Sequence, residues 1–239
     1  MNDKTFRIWN YFFGWAVFAI ALFTFGSTVE PTASFWDAGE YISTSAKLQV
    51  GHPPGAPLFQ MIGAFFALFA PSAQKVALMV NFMSVFSSAF TILFLFWTLT
   101  LLLKKLPNFN SLENLSDKIG FFGSAAVGAL AFCFSDSFWF NAVETEVYAM
   151  ATLILSVLFW MGLRWEEEMN TPRGDRWLLM IAFVIGLSFG VHFMGLLTIP
   201  ALGMIYYFKN YKKVTIKGFI YANLISIACL LYTSPSPRD

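Results

Sequence analysis

The sequence has little charge and almost no cysteine. Charged residues make up 12% of the 239 positions, about half of the roughly one quarter that a soluble domain carries. The two cysteines, Cys133 and Cys229, both fall inside apolar runs, which favours small buried side chains over a disulfide or a metal site. The net charge of +1 gives no reason to expect nucleic acid as a partner, since that calls for a basic patch. These shortages exclude an ordinary soluble domain.

The sequence also lacks the motifs of several enzyme and transporter classes. It contains no P-loop and no zinc-ligand spacing, and the first absence counts against transport driven by nucleotide hydrolysis. Hydrophobic residues supply 57% of the chain and phenylalanine alone supplies 29 positions. Since only helices and closed barrels span a bilayer, these long apolar runs predict an all-α, polytopic helical membrane protein whose main partner is the lipid bilayer.

Seven apolar runs are predicted to cross the membrane. They are 8–28, 76–103, 119–135, 147–163, 177–191, 193–208 and 219–232. An eighth run, 57–70, is shorter than the about twenty residues that a span needs, so we expect a juxtamembrane or interfacial helix there. If that run does not cross, twelve of the fifteen Lys and Arg residues lie on one side, as the positive-inside rule requires.

This topology places loops 29–75 and 136–146 on the outer side, which we expect to be the periplasmic face of a bacterial inner membrane. Both loops contain acids without nearby basic partners, although only basic residues were used to choose the topology. We interpret residues 1–232 as one transmembrane domain. Residues 233–239 resemble translated sequencing-adapter read-through, so we expect a non-native tail on an N-terminal fragment.

Residues 34–57 are the polar exception in this apolar sequence. They hold four ionisable side chains within sixteen positions, namely Asp37, Glu40, Lys47 and His52. If the stretch is helical, Asp37, Glu40 and Lys47 share one face, and an acid pair beside a cation suits a general base with a partner for an anionic substrate group. The alternative is a capping box from Ser34 to Asp37, which explains neither Glu40 nor Lys47.

The second outer loop carries two more acids, Glu144 and Glu146. Asn141 could cap a helix whose third residue is Glu144, which would leave Glu146 unexplained. On a helix, two positions correspond to about 200°. We therefore expect at most one of the two acids to face the first loop.

Histidines and aromatic residues flank these acids, and each has a structural alternative. His52 lies before two prolines in a stiff turn and could either donate to a phosphate or only shape the turn. His192 ends a span after a Gly-x-x-x-Gly motif at 186–190, which is typical of closely packed helices. Trp36 and Tyr148 fit an aromatic belt, although the same rings could stack on a sugar.

Three stretches resemble the domain of unknown function 2723 family. They are Trp36-Asp37-Ala38-Gly39-Glu40 continuing through Lys47 to His52-Pro53-Pro54-Gly55, then Phe138 to Tyr148 with Glu144 and Glu146, and Gly186 to His192. The resemblance covers residues 8 to 215. That family belongs to the GT-C class of multi-span glycosyltransferases, which includes animal protein O-mannosyltransferases. Enzymes of the class take a sugar from a polyprenyl-phosphate donor and act on the outer side of the membrane.

The resemblance implies a role for each candidate residue. Asp37 would be the general base on a protein or glycan acceptor hydroxyl, with Glu40 as orienter or second acid. Glu144 or Glu146 would come from the facing loop, and Lys47 or His52 would stabilise the departing lipid phosphate. The clustered carboxylates could also hold a divalent ion such as Mg²⁺ or Mn²⁺, which leaves metal dependence open.

Two other function classes remain as alternatives. A carrier or lipid flippase could use the same acids as a proton or substrate path, but it would be expected to place ionisable residues within its spans, and these spans almost entirely lack acids. A non-catalytic membrane scaffold would use the acids only as helix caps.

Overall fold

The computed structural model describes residues 3–53, 55–107 and 114–233, and every regular element within those ranges is helical. The α-helices are α1 (Asp3–Ser27), α2 (Ala38–Lys47), α3 (Pro57–Ala67), α4 (Val76–Leu103), α5 (Leu115–Cys133), α6 (Asp136–Ala142), α7 (Val147–Glu168), α8 (Gly174–Ser188), α9 (Thr198–Asn210) and α10 (Ile216–Thr233). Short 3₁₀ turns lie at Ala73–Lys75 and Phe193–Leu197. The all-α prediction is confirmed. The predicted tail lies outside the described residues from position 234 onward.

Four helices in the described part of the chain are long and apolar enough to cross a membrane: α1, α4 with its preceding turn, α5 and α7. The remaining three predicted crossings fall on α8, α9 and α10, which have 15, 13 and 18 residues. These lengths are below the about twenty residues of a full span. Their crossing therefore stays a prediction.

The helices alternate in direction along the bundle. Gly14 of α1 faces Trp97 of α4, and Gly26 faces Phe82, so the two helices are antiparallel. Consequently the loop between them, which carries α2 and α3, begins and ends at the same end of the bundle. The α3 helix has only 11 residues and does not traverse the bundle.

The helix α4 lies at the centre of the bundle, where it packs against α1, α5 and α7. The α7 helix packs in turn against α8 and α9. Its first residues lie near the start of α4, because Thr145 bonds to Asn81, and Trp160 lies beside Trp97 near the end of α4. We name the end where α4 and α7 begin the acidic end, and the opposite one the basic end. About twenty residues of α4 separate them, which corresponds to about 30 Å.

A cluster of buried apolar side chains supports the acidic end. It includes Tyr41 of α2, Phe59 of α3, Met83 of α4 and Val147 of α7. Because residues from four helices share this core, the amphipathic α2 and the short α3 are fixed against the first turns of α4 and α7. The loop segments at the acidic end therefore lie on a packed base.

Candidate active site

The α2 helix begins at Ala38, and Asp37 precedes it without a side-chain capping hydrogen bond. Ser34 lies outside the helix, so the alternative of a capping box from Ser34 to Asp37 does not hold. The backbone carbonyl of Asp37 accepts from the N–H of Tyr41, but its carboxylate is not needed to start the helix. That carboxylate is exposed, with 55% of the side chain accessible, and it is free for chemistry.

Glu40 positions His52. Its Oε1 atom accepts from the backbone N–H of His52 at 2.6 Å, and its Oε2 atom lies 3.0 Å from Nδ1 of the same residue. These hydrogen bonds lower the pKa of Glu40 and raise the pKa of His52. The other ring nitrogen, Nε2, lies 3.9 Å from Oδ2 of Asp37. The imidazole is therefore held between two carboxylates, and its cationic form is favoured.

The turn that carries His52 packs against α3. Gln60 of α3 is buried, and its amide lies 3.1 Å from the hydroxyl of Thr44 on α2. A Cβ atom at Gly51 would lie 2.7 Å from Nε2 of Gln60 and 3.2 Å from Oε1 of Glu40. Glycine at position 51 thus lets the turn approach both side chains. Sequence reasoning missed Gln60, whose only signal is one amide in an apolar run.

The second acidic loop is a non-helical link between α6 and α7. The α7 helix begins at Val147, preceded by Glu146 in an extended conformation without a side-chain capping bond. Asn141 lies in α6, and its amide donates to the carbonyl of Ser137. The predicted Asn141 cap is therefore wrong, and so is the expected helical spacing of Glu144 and Glu146.

Glu144 and Glu146 are both buried, with 3% and 6% of their surface exposed. Burial raises the pKa of Glu146 to about 7, and the charges of Asp37 and Glu144 add to the rise. Burial also raises the pKa of Glu144, which lies beside Ser34 and Glu30. Both acids thus face the first loop at different points. The expectation that at most one would do so is wrong because the link is not helical.

A cleft of about 200 Å³ opens between the two loops and the end of α8. Five predicted site residues line it, namely Asp37, His52, Glu146, Tyr148 and His192. The cleft therefore joins side chains from three distant segments of the chain. Glu40 contacts His52 but does not line the cleft. Glu144 lies beside Ser34 and Glu30, also outside the cleft lining.

His192 has both a structural contact and a position in the cleft. Its Nδ1 atom accepts from the N–H of Met194 at 3.2 Å, which leaves Nε2 as the protonated nitrogen of the neutral ring. Burial lowers the pKa of His192, so the neutral form is favoured. The ring lies 5.4 Å from that of Tyr148. His192 can therefore present a neutral N–H donor to a ligand.

The predicted Gly-x-x-x-Gly contact exists at one of its two glycines. The carbonyl of Gly190 accepts from the N–H groups of Leu58 and Phe59 at the start of α3, and a Cβ atom there would lie 2.7 Å from Cβ of Leu58. A Cβ atom on Gly186 would meet open space. The motif thus docks α3 onto the end of α8 next to the cleft.

Two predicted substrate-binding residues lie outside the cleft lining. Lys47 is exposed at the last turn of α2, and Trp36 is 86% exposed. The backbone of Trp36 has a φ of 61°, which is an outlier for a bulky residue. This strained residue directly precedes Asp37 and so sets the direction in which the chain enters α2.

Asn81, which sequence reasoning missed, ties the two acidic loops together. It is fully buried in α4, and its amide nitrogen donates to the carbonyls of Glu30 at 2.7 Å and Thr32 at 2.9 Å. Its amide oxygen accepts from the hydroxyl of Thr145. A backbone bond from Glu30 to Val143 runs alongside. One side chain therefore holds both acidic loops at the start of α4.

No three His, Cys, Asp or Glu side chains within the described ranges form a group that could hold a metal ion. Asp37 and Glu146 are the two carboxylates that face the cleft, and carboxylate oxygens suit Mg²⁺ or Mn²⁺. Dependence on a divalent ion stays a prediction, and no step below depends on it.

The model for the family described as Protein O-mannosyl-transferase TMEM260 N-terminal domain matches residues 37–215. The chain belongs to this family. The match begins at Asp37 and includes every candidate site residue except Trp36, and it confirms the family resemblance read from the three sequence stretches.

Two relatives show the extent of the similarity. Protein O-mannosyl-transferase TMEM260 of Mus musculus is 30% identical over 176 residues, covering 72% of this chain and 22% of the relative. Protein O-mannosyl-transferase tmem260 of Dictyostelium discoideum is 26% identical over 154 residues, covering 64% of this chain and 17% of the relative. The chain thus spans about a fifth of the length of these curated relatives. No solved structure matches the chain.

Proposed function

We propose that this chain is the catalytic membrane portion of a glycosyltransferase that moves a mannosyl unit from a polyprenyl-phosphate donor to a protein hydroxyl at the outer membrane face. The observation that carries the proposal is the cleft in which Asp37, His52, Glu146 and His192 meet. The names of the TMEM260 relatives, both protein O-mannosyl-transferases, support the sugar and the acceptor.

Asp37 is proposed as the general base. It takes the proton from the acceptor hydroxyl while the acceptor oxygen attacks the anomeric carbon of the sugar. The bond between that carbon and the phosphate oxygen breaks, and its electrons leave with the polyprenyl phosphate. A single displacement of this kind inverts the anomeric carbon. The exposed carboxylate, unused by the helix that it precedes, supports this role.

His52 and His192 are proposed to stabilise the departing phosphate. The raised pKa of His52 favours an imidazolium, and the 3.9 Å gap between its Nε2 atom and Asp37 leaves that N–H available. His192 offers a neutral N–H donor on the other side of the cleft. Donors fixed in advance around a developing negative charge supply a large share of catalytic power. Glu40 acts through His52 as a positioning residue.

An apolar groove of about 430 Å³ supports a donor with a hydrocarbon chain. It runs between α3, α4, α7 and α8, and its lining is apolar apart from Ser87, whose hydroxyl is bonded to the carbonyl of Met83. Leu58 lines the groove and contacts Gly190, next to the cleft residue Val191. A polyprenyl tail in this groove would place its phosphate at the cleft.

The size of the cleft supports transfer of one sugar at a time. Pockets for drug-sized ligands range from about 300 to 1,000 Å³, whereas this cleft is about 200 Å³. Tyr148 is about half exposed and lies at the cleft, where its ring could stack on a single sugar.

The carrier and scaffold alternatives gain less support. The helix α4 contains no charged residue, and the acids of α7 lie in its last turn at the basic end. A conduction path would need ionisable groups along the spans. The scaffold interpretation requires the acids to cap helices, and neither Asp37 nor Glu146 makes a side-chain capping hydrogen bond.

The test of the donor class compares two radiolabelled donors in membranes from cells that express the complete gene. We expect label to enter protein from polyprenyl-phosphate mannose and not from a nucleotide-linked mannose. An empty-vector membrane serves as the background. Labelling from the nucleotide donor, with none from the lipid donor, would overturn the proposed donor. No labelling above background from either donor would overturn the proposed function.

A further inference from the structure

A second cavity, of about 660 Å³, lies at the basic end of the bundle between α1, α4, α7 and α8. Two of these helices, α4 and α7, also support the cleft at the acidic end. The two sites are about 30 Å apart along α4, which equals the thickness of the hydrocarbon core of a bilayer. A helix bundle that places one site in each interfacial region exposes the two sites to opposite leaflets.

The cavity is positively charged. Three basic side chains, Arg7, Lys104 and Arg164, line it together with one carboxylate, that of Glu167. Arg164 is already paired with Glu167 and with Glu168. Within the residues that the structure describes, Arg7 and Lys104 have no carboxylate partner, and Nζ of Lys104 lies 3.8 Å from the ring centre of Phe6. Two cations therefore remain available to an anionic ligand.

Aromatic rings form the walls of the cavity. Trp97 lies 6.0 Å from Trp160, which in turn lies 5.8 Å from Trp177, and Tyr11 lies 6.1 Å from Trp97. Tryptophan and tyrosine are enriched at the level of lipid headgroups. Basic pockets between membrane helices on the cytoplasmic side bind anionic lipid headgroups. Charge and rings together therefore fit a phosphate-bearing headgroup.

An apolar stripe on α1 continues from the rim of the cavity. The stripe consists of four residues spaced three, one and three positions apart, namely Ile8, Tyr11, Phe12 and Trp15, so that they share one helix face. Between 48% and 68% of the surface of each residue is exposed. Tyr11 belongs both to this stripe and to the cavity lining. A ligand that fills both would be anionic at one end and apolar at the other.

We propose that the cavity binds the phosphate headgroup of an anionic phospholipid, whose acyl chains lie along the α1 stripe. Arg7 and Lys104 would contact the phosphate, because they are the lining cations without a carboxylate partner. The site is separate from the acidic cleft and does not depend on the proposed function. It would fix the bundle to lipids of the leaflet opposite the active site.

The test counts lipids bound to the purified full chain in detergent by native mass spectrometry. The probes are phosphatidylglycerol, phosphatidylcholine with the same acyl chains, and inorganic phosphate. We expect phosphatidylglycerol to bind at least tenfold more tightly than phosphatidylcholine. The double variant Arg7→Gln/Lys104→Gln should weaken phosphatidylglycerol binding by roughly fivefold for each charge removed.

A matched control removes the same charge from the same end of the bundle. Lys212→Gln/Lys213→Gln alters two exposed lysines that do not line the cavity, and it should leave binding unchanged. Lys104→Arg keeps the charge and should keep binding, which separates recognition from folding. Equal weakening by the lysine control, or equal affinity of the wild type for both lipids, would overturn the proposal. Displacement of the lipid by millimolar inorganic phosphate would also overturn it, because the ligand would then be a free anion.

Discussion

The two ends of the bundle use carboxylates in opposite ways. At the basic end, Glu166 pairs with Lys105, and Glu167 and Glu168 pair with Arg164. At the acidic end, Glu144 and Glu146 are buried, yet the described part of the chain gives them no Lys or Arg partner.

Unpaired buried acids reduce stability, since burial penalises the charged form. A fold that keeps them at one end and pairs its acids at the other separates structural charge from charge that is available for chemistry. The difference indicates that the acidic end carries the function.

Among the variants that test the difference between the two ends, Glu146→Gln should have the largest effect. Burial raises the pKa of Glu146 to about 7, so the folded protein favours the protonated form. The unfolded chain ionises near 4.5, and stability therefore falls as the pH rises from about 4.5 to about 7. Glutamine removes this loss, and we expect the free energy of unfolding near pH 7.5 to rise by up to about 3 kcal/mol.

The same variant should also transfer sugar more slowly, because Glu146 lines the cleft and its charge interacts with that of Asp37. Urea unfolding at pH 5 and pH 7.5, together with a transfer assay, checks both effects. Glu168→Gln is the control at the basic end and should not raise stability. A Glu146→Gln protein that is less stable at pH 7.5 would contradict the account.

Asn81→Ala should lower the free energy of unfolding by about 3 kcal/mol. The change removes the donor of the partly buried carbonyls of Glu30 and Thr32 and the acceptor of the fully buried Thr145 hydroxyl, and each buried group left unsatisfied costs about 1–3 kcal/mol. Transfer should also fall, because the two acidic loops lose their shared anchor. Denaturant unfolding of the purified protein gives the first value.

Ser84→Ala is the matched control one turn along α4. The Ser84 hydroxyl is buried and makes no hydrogen bond, so its removal should change stability by less than about 1 kcal/mol. Similar losses in the two variants would show that the Asn81 bonds do not hold the loops.

Glu40→Gln should reduce transfer about tenfold by releasing His52. Because the pKa of His52 is raised, the stability that its charge contributes is fully present below pH 6.5, the ordinary pKa of histidine. That stability is lost as the pH rises through the raised pKa. The lowered pKa of Glu40 makes its contribution present above 4.5 and lost as the pH falls through the lowered pKa. The pair is therefore strongest between about pH 4.5 and 6.5.

Hydrogen exchange of the His52 amide across pH 4 to 9 measures this pair directly. Protection should be highest inside that window in the wild type and lower in the variant, because the neutral amide oxygen of glutamine is a weaker acceptor than a carboxylate. Glu30→Gln is the control acid in the same loop, since Glu30 bonds to Thr32 and not to His52. Unchanged protection in Glu40→Gln would remove Glu40 as the positioning residue.

Lys105→Gln should have the smallest effect. It breaks a partly exposed pair with Glu166, and such pairs contribute about 0.2–1 kcal/mol and less at high salt. Transfer should stay at the wild-type rate. A loss of transfer comparable to that of Glu146→Gln would erase the distinction between the two ends.

The sequence predicted the helical class and the short α3, because the length of an apolar run is a local property. It left open whether Glu144 or Glu146 would face the first loop. It failed at the helix starts. Neither of the caps considered as alternatives forms, since α2 begins at Ala38 and α7 at Val147, and tertiary packing overrode the capping patterns.

The contacts of Asn81 and Gln60 could not be predicted from the sequence. Asn81 bonds to backbone carbonyls 51 and 49 positions away, and a carbonyl leaves no trace in the residue types. The bond between Glu40 and His52 joins residues twelve positions apart, across a turn whose path depends on Gly51 and Gln60. In the sequence, Asn81 and Gln60 indicate only that a polar group lies in an apolar run.

The most direct test of the account is single-turnover transfer by Asp37→Asn with bound polyprenyl-phosphate mannose. Donor binding and transfer are measured on the same sample, with Asp136→Asn as the control because Asp136 is an exposed acid of the second loop outside the cleft. The account predicts donor binding as in the wild type and transfer at least about 100-fold slower. Transfer at the wild-type rate, or a loss fully explained by weaker donor binding, would contradict Asp37 as the base.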